Sequence, residues 1–189
     1  TSAINSDKTG TLTLNQMTAV ELTIPGRRYS IDGNGYSTQG VIKRVAGQAD
    51  VDLEPFMQPL VLACDEVVHD GELIGDPTEG ALVVLGEKGG LAAVATRETY
   101  PRVAELPFDA AYKLMATFHR MKDESGRDVV RCFVKGAPDQ VLARATQTLA
   151  PDDLHLIEVD ADFKERYETE NKRLGEQGLR VLATGRKDF

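Results

Sequence analysis

Cysteine and histidine are scarce. Cys64 and Cys132 stand far apart and His69, His119 and His155 are scattered, so no zinc-ligand spacing forms. Two lone cysteines read as buried free thiols of a reducing compartment, which behave as small hydrophobes, rather than as a disulfide. Blocks of lysine or arginine are missing too, and 22 Lys and Arg against 30 Asp and Glu leave a net charge of −8. That balance gives no general electrostatic grip on nucleic acid or anionic lipid, so any phosphate binding has to be local. No apolar run approaches the ~18 to 20 residues that cross a bilayer. The opening Thr-Ser-Ala-Ile-Asn has neither the basic nor the apolar region of a signal peptide. The expectation is a soluble chain that does not itself enter a membrane, without internal repeats or low-complexity tracts.

What is present is ordinary globular composition: 189 residues, 41% hydrophobic and 28% charged, enough for one substantial domain or one domain with a fragment of another. Residues 2–5 read as a short strand running into a polar, glycine-centred loop at 7–13. Strand patterns follow at 17–24 and 28–31, split by the turn signal Pro25-Gly26, and antiparallel pairing is the economical reading. Apolar residues at helical spacing predict a helix over 53–68, with Pro55 in its first turn. Asp76, Pro77 and Glu79 announce a second helix, which Gly89-Gly90 ends. Strands are predicted at 102–107, 113–121 and 129–134, the last two joined by a turn around Ser125-Gly126. Helices at 139–145 and 162–177 and a strand at 179–184 complete the chain. The class is α+β, an antiparallel twisted sheet with flanking helices. A boundary near residue 16 divides a short fragment and hinge, 1–16, from the domain at 17–189.

Asp7 follows a strand end and opens a glycine-containing loop, the position at which open α/β sheets present reactive groups. A carboxylate with a reference pKa of ~3.9 is ionised at neutral pH and attacks a phosphoryl group without a general base, leaving an acyl phosphate. Lys8, the hydroxyls of Thr9 and Thr11 and the loop amides balance charge on such a group. As isolated letters, Asp, Thr and Gly are also common turn formers. The whole string Asp7-Lys8-Thr9-Gly10-Thr11-Leu12-Thr13 resembles the phosphorylation signature of P-type ATPases, ion pumps that pass through an aspartyl phosphate. The resemblance implies that Asp7 accepts the phosphoryl group, with Lys8 and Thr9 beside it and Mg2+ near Asp7 and Thr9. The loop also resembles, more loosely, that of haloacid-dehalogenase-like phosphatases. These carry a second Asp as acid and base where this chain has Thr9, a change that slows hydrolysis of an acyl phosphate.

A second constellation lies downstream. Phe108 offers a face on which a planar base stacks, and Lys113, Lys135 and Arg180 offer cations for ring nitrogens or phosphate oxygens. Gly136 allows close approach. Each has a structural reading as well: Phe108 as core, the lysines as solvated strand residues, and Glu79 as partner of Asp76 in a capping box. The segments at 76–82, 108–115, 135–138 and 178–183 resemble, in order, the nucleotide-domain motifs of P-type ATPases, and the loop at 29–40 resembles the insert of the calcium and sodium-potassium branch. The resemblance implies that Phe108 stacks on adenine and Met115 packs beside it. Lys113 and Lys135 line the pocket, Glu79 reaches the adenine edge and Arg180 contacts phosphate, with Asp76 and Thr78 supporting that wall. It implies an ATP-binding domain on the cytoplasmic side of a membrane, whose partners are the remaining phosphorylation, actuator and membrane domains of the same pump. Bound to ATP but separated from those partners, the chain is expected not to turn it over. A self-sufficient phosphohydrolase and a nucleotide-binding module without chemistry remain as alternatives.

Overall fold

A computed structural model describes residues 14–189. The expected strand at 2–5 and the loop carrying Asp7, Lys8 and Thr9 lie outside the described residues. In chain order the elements are β1 (Glu21–Ile24), β2 (Arg27–Ile31), β3 (Ile42–Gly47), α1 (Glu54–Leu62), β4 (Val67–His69), β5 (Glu72–Ile74), α2 (Pro77–Lys88) and α3 (Ala93–Thr99). They continue with β6 (Arg102–Asp109), β7 (Leu114–Lys122), β8 (Asp128–Gly136), α4 (Pro138–Arg144), β9 (Gln147–Leu149), β10 (Leu156–Glu158), α5 (Ala161–Glu176) and β11 (Ala183–Asp188). The α+β class holds, and every strand pair among the described residues is antiparallel.

The largest sheet has the order β11-β8-β7-β6. β7 and β8 pair from Leu114↔Gly136 to Lys122↔Asp128 across the predicted Ser125-Gly126 turn. The Asp123 carboxylate organises that turn by accepting from the amides of Ser125 and Arg127, each at 2.9 Å. β11 then closes the sheet beside β8, where the Arg131 guanidinium donates to both carboxylate oxygens of Asp188 at 2.7 and 2.6 Å. This corrects the expected strand at 179–184: the ladder begins only at Ala183, and residues 179–182 form its approach.

α1 is the hub of the core. Met57 and Leu60 pack with Ile31 and Leu85, Val61 joins Cys64, Val83 and Ala93, and Leu62 with Ala63 meets Met121 and Phe133. Burying an aliphatic side chain of this size stabilises by roughly 1.5–3 kcal/mol, so one short helix ties three layers together. The helix expected over 53–68 stops at Leu62, with the Ala63 amide donating to the carbonyl of Pro59. Beyond it, Val67–His69 and Glu72–Ile74 form a hairpin around Asp70-Gly71, both at positive φ (50° and 80°). That is the left-handed pair a tight two-residue hairpin turn demands. α2 is as predicted: Asp76 caps it, accepting from the amides of Thr78 and Glu79 at 2.8 and 3.1 Å, with Pro77 in the first turn. Both cysteines are free thiols; Cys64 is buried and Cys132 half-buried.

Candidate functional site

One end of the large sheet, where β6 turns into β7 and β8 runs into α4, gathers most of the sequence-predicted positions. β6 pairs Leu106↔Ala116 and then Asp109↔Leu114, so a register shift leaves Pro107 and Phe108 together opposite Met115. Such a bulge re-aims side chains at a sheet edge. Phe108 is 63% exposed, so the core reading of this ring does not hold. The turn that follows is fixed by the Asp109 carboxylate, which accepts from the amides of Ala111 and Tyr112 at 2.8 and 3.1 Å. Lys113 closes the turn at φ 52°, a left-handed conformation that is costly for a residue with a side chain and recurs where function constrains the backbone.

Met115 pairs with Lys135, and Leu114 with Gly136, across β7 and β8. Paired residues of an antiparallel ladder present their side chains to one face, and here both Met115 and Lys135 are buried. A Cβ on Gly136 would sit 2.3 Å from the carbonyl oxygen of Lys113, which itself accepts from the Ala137 amide at 2.9 Å. Glycine is therefore required by the approach of the β6–β7 turn to the end of β8.

The sheet is joined to the N-terminus of α2 by polar contacts. Lys135 Nζ stands 2.7 Å from Glu79 Oε1, and the Arg180 guanidinium donates to Thr78 Oγ1 at 2.8 Å. Phe108, Lys113, Met115, Lys135 and Gly136 thus share one sheet end, and Asp76, Thr78, Glu79 and Arg180 stand at the helix start bridged to it. Asp76 keeps its capping role, but the capping-box reading of Glu79 does not hold: the Asp76 amide donates to Glu66 Oε1 at 3.3 Å, and the Glu79 carboxylate turns to Lys135 instead. Asp7, Lys8 and Thr9 lie outside the described residues.

Two residues around Lys135 were not placed there by the sequence: Cys64, expected only as a buried free thiol, and Glu66. Lys135 Nζ donates to Cys64 Sγ at 2.9 Å, and Glu66 stands beside Glu79. Burial pushes the Glu79 carboxyl up to about 6; the hydrogen bond it shares with Glu66 adds to the rise and Lys135 opposes it. Glu66 moves the other way: its own burial would raise it, but the hydrogen bonds it accepts from Glu79 and from the Asp65 and Asp76 amides outweigh that and lower it. Burial pushes the Cys64 thiol up to about 12, only partly offset by Lys135. No sequence signal marked Cys64 or Glu66, because the contact joins positions 71 residues apart.

The arrangement offers an open aromatic face, cations on three separate segments and a glycine-lined backbone corner. That fits a planar, polyanionic ligand better than a small neutral one. Clefts elsewhere have a different character. One of about 430 Å³ lies between β1, β2 and α5, lined by Ile24, Arg27, Phe163 and Tyr167 among others.

Comparison with known proteins shows the family. The family described as "P-type ATPase, cytoplasmic domain N" matches residues 60–189. "Cation-transporting ATPase pma1" of Synechocystis is 36% identical over 96% of this chain and 20% of its own length. "Calcium-transporting ATPase 1" of Lactococcus lactis is 36% identical over 97% of this chain and 19% of its own. The human "Calcium-transporting ATPase type 2C member 1" is 35% identical over 95% and 20% respectively. The chain spans about a fifth of the length of these relatives.

Proposed function

The chain belongs to the P-type ATPase family, as a piece containing its cytoplasmic domain N, and from that premise we propose that it binds ATP for an intact cation pump and presents the γ-phosphate to Asp7. The observation that carries this reading is the gathering of the exposed Phe108 ring, the Lys135–Glu79 pair and the Arg180–Thr78 contact at one end of a rigid sheet. Adenine stacks on Phe108 beside Met115, a face worth ~1–3 kcal/mol for a stacked base. Lys113 and Arg180, both exposed, meet the phosphates, and Glu79 meets the adenine edge. Lys135 holds Glu79 in place and lends positive charge to the pocket floor.

Closure about a hinge near Asn15-Gln16, the boundary between the 1–16 piece and the domain, would deliver the nucleotide to Asp7. There one carboxylate oxygen forms a bond to the γ-phosphorus while the bond to the β–γ bridging oxygen breaks and ADP leaves. The stored aspartyl phosphate would then drive cation transport by shifting conformational populations. Magnesium, implied near Asp7 and Thr9, would neutralise charge on the phosphates. Among the described residues the two clusters of three ligand-type side chains mix carboxylates with a thiol or an imidazole, poor company for a hard ion that seeks an all-oxygen shell. The part assigned to the described residues is therefore binding and positioning, and the chain alone is expected to bind ATP without turnover. None of their helices is long and apolar enough to cross a membrane, and we assign the domain to the cytoplasmic side, working against the phosphorylation, actuator and membrane domains of the same pump. The ion is assigned only as a cation, because identity is equal to a relative named for calcium and to one named for cations in general.

An open pocket with one stacking face and a few cations is little preorganised, so ATP should bind with ~−4 to −6 kcal/mol, a Kd from about a millimolar down to tens of micromolar. The test is an ATP titration of the isotopically labelled chain by NMR. Shifts are expected to map to residues 76–82, 108–115 and 135–138 and to weaken in Phe108→Ala and Lys135→Ala. Unchanged shifts in both variants would overturn the reading. Asp7→Asn should leave binding intact, because its role is chemical.

A further inference from the structure

The cleft of about 430 Å³ between the β1–β2 hairpin and α5 falls in the size range of small-molecule sites, ~300–1,000 Å³. Antiparallel register sets Thr23 opposite Arg28, so both stand on one face of the hairpin. Glu21, two residues before Thr23 and on that same face, pairs with Arg173 of α5, which places the helix over it. α5 turns Phe163, Arg166, Tyr167 and Glu170 into the cleft, three and four residues apart along one side of the helix. The walls are apolar: Ile24, Leu149 and Ile157 join the Phe163 and Tyr167 rings, whose centroids are 4.5 Å apart.

The charge of this lining is unbalanced. Three arginines stand against one acid, and that acid is already engaged, since Glu170 accepts from Arg173 at 2.8 Å. Arg28 and Arg166 form no ion pair among the described residues. Arg27 is 4% exposed, yet its guanidinium donates to backbone carbonyls alone among the described residues, those of Pro25, Ala49, Pro151 and Asp152. A charge so far out of water is ordinarily matched by an opposite one. A second observation points the same way: Thr23 Oγ1 is buried in the cleft wall with no hydrogen-bond partner among the described residues, a rare state for a polar atom. Burial pushes the Tyr167 phenol up to about 12, with Arg166 opposing the rise, so it keeps a proton to donate.

We infer that this cleft binds a small aromatic acid, its ring against Phe163 and Tyr167 and its anionic head on Arg28 and Arg166. The lining decides the class. A neutral apolar ligand would leave the guanidinium groups unmatched, and a bare phosphate would leave the aromatic and aliphatic walls empty. A carboxylate or sulfonate meets the planar fork of arginine with two parallel hydrogen bonds. Such a ligand bridges the hairpin to α5, a helix with no fully buried residue of its own. No bond is made or broken in this step. The inference goes beyond the nucleotide reading and does not rest on it, because the cleft shares no residue with the Phe108 site.

The test is a fluorescence titration of the 189-residue chain with 1-anilinonaphthalene-8-sulfonate, an aromatic sulfonate that brightens when its rings leave water. One equivalent should saturate the signal, and amide shifts of the labelled chain should map to residues 23–28 and 163–170. The uncharged analogue N-phenyl-1-naphthylamine should bind about tenfold more weakly or worse, and Arg166→Gln, at an exposed position that leaves the core intact, should weaken the sulfonate about tenfold. Arg120→Gln, exposed on β7, should change nothing, and saturating ATP should leave the probe in place. No saturable signal, shifts mapping elsewhere, equal affinity for the uncharged analogue, full affinity in Arg166→Gln, weakening in Arg120→Gln or displacement by ATP would each overturn the site.

Discussion

Lys135 on the central strand β8 and Glu79 on the first turn of α2 form a 2.7 Å ion pair in which the lysine side chain is 6% exposed and the glutamate 25%. A pair this far out of water resists loss of one partner more than loss of both, because the partner left behind is an uncompensated charge. Lys135→Met should therefore destabilise the chain by about 2–3 kcal/mol, with Glu66 and Glu79 facing each other across the vacated space. Adding Glu79→Gln to it should recover part of that loss. Urea unfolding of the two variants checks this; equal or additive losses would mean that the pair is not coupled.

The same pair gives stability a pH dependence of definite sign. Glu79 titrates at about 6 in the folded chain and near its ordinary 4.5 when unfolded. Between those values the folded state retains a proton that the unfolded state has released, so stability falls as pH rises through the window and returns as pH drops. Glu66, held below 4.5, acts only at lower pH, where its stabilisation is lost as pH falls through its folded value. His119, lowered by burial from 6.5, contributes the opposite slope to Glu79. The contribution of Glu79 is thus read as a difference: thermal unfolding from pH 4.5 to 7 should show the falling component in the parent chain and lose it in Glu79→Gln.

Much of this architecture was written in local signals. The capping run Asp76-Pro77-Thr78-Glu79 and the meander from β6 to β8 carry their own chemistry in a few consecutive residues, and both appear where expected. What escaped was set by distance or by competition. Helical spacing through Val68 masked the hairpin signal Asp70-Gly71, whose positive-φ turn wins once Asp65-Glu66 interrupts the apolar run beyond α1. β11 slides four residues beyond its expected start, where Asp188 can meet the buried Arg131. Within the site, Phe108, Lys113 and Gly136 were legible as motif positions. Cys64 and Glu66 were not, because an ordinary apolar run ending in Cys-Asp-Glu says nothing about a lysine 71 residues away.

Gly136 and Gly71 separate two reasons for glycine. A Cβ at Gly136 would meet the Lys113 carbonyl at 2.3 Å and Leu114 Cβ at 2.6 Å, backbone and near-backbone atoms that cannot swing aside. A Cβ at Gly71 would meet no atom of the described residues within 4 Å beyond its chain neighbours, and its φ of 80° is what opposes a side chain. Gly136→Ala should cost about 1–3 kcal/mol as overpacking and displace the amide signals of Lys113 and Leu114. Gly71→Ala should cost about 1–2 kcal/mol as left-handed backbone strain and leave those signals in place. Denaturation curves with amide chemical shifts distinguish the two.

In the proposed nucleotide site Phe108 takes the base and Arg180 the phosphates, and substitution should separate their parts. Both side chains are exposed, and among the described residues the hydrogen bond of Arg180 is the one to Thr78 Oγ1, so alanine at either position should change stability by no more than about 0.5 kcal/mol. Phe108→Ala removes the stacking face, and with it ~1–3 kcal/mol from every adenine nucleotide, so ATP, ADP and AMP should all weaken by a similar factor. Arg180→Ala removes a charge-assisted hydrogen bond to the phosphate tail, about 1.5–3 kcal/mol, so ATP should weaken while AMP hardly changes. Calorimetry with the three nucleotides reads both patterns. Equal losses for ATP and AMP in Arg180→Ala would move this guanidinium from the phosphates to the base, and an unchanged AMP affinity in Phe108→Ala would remove the ring from the site.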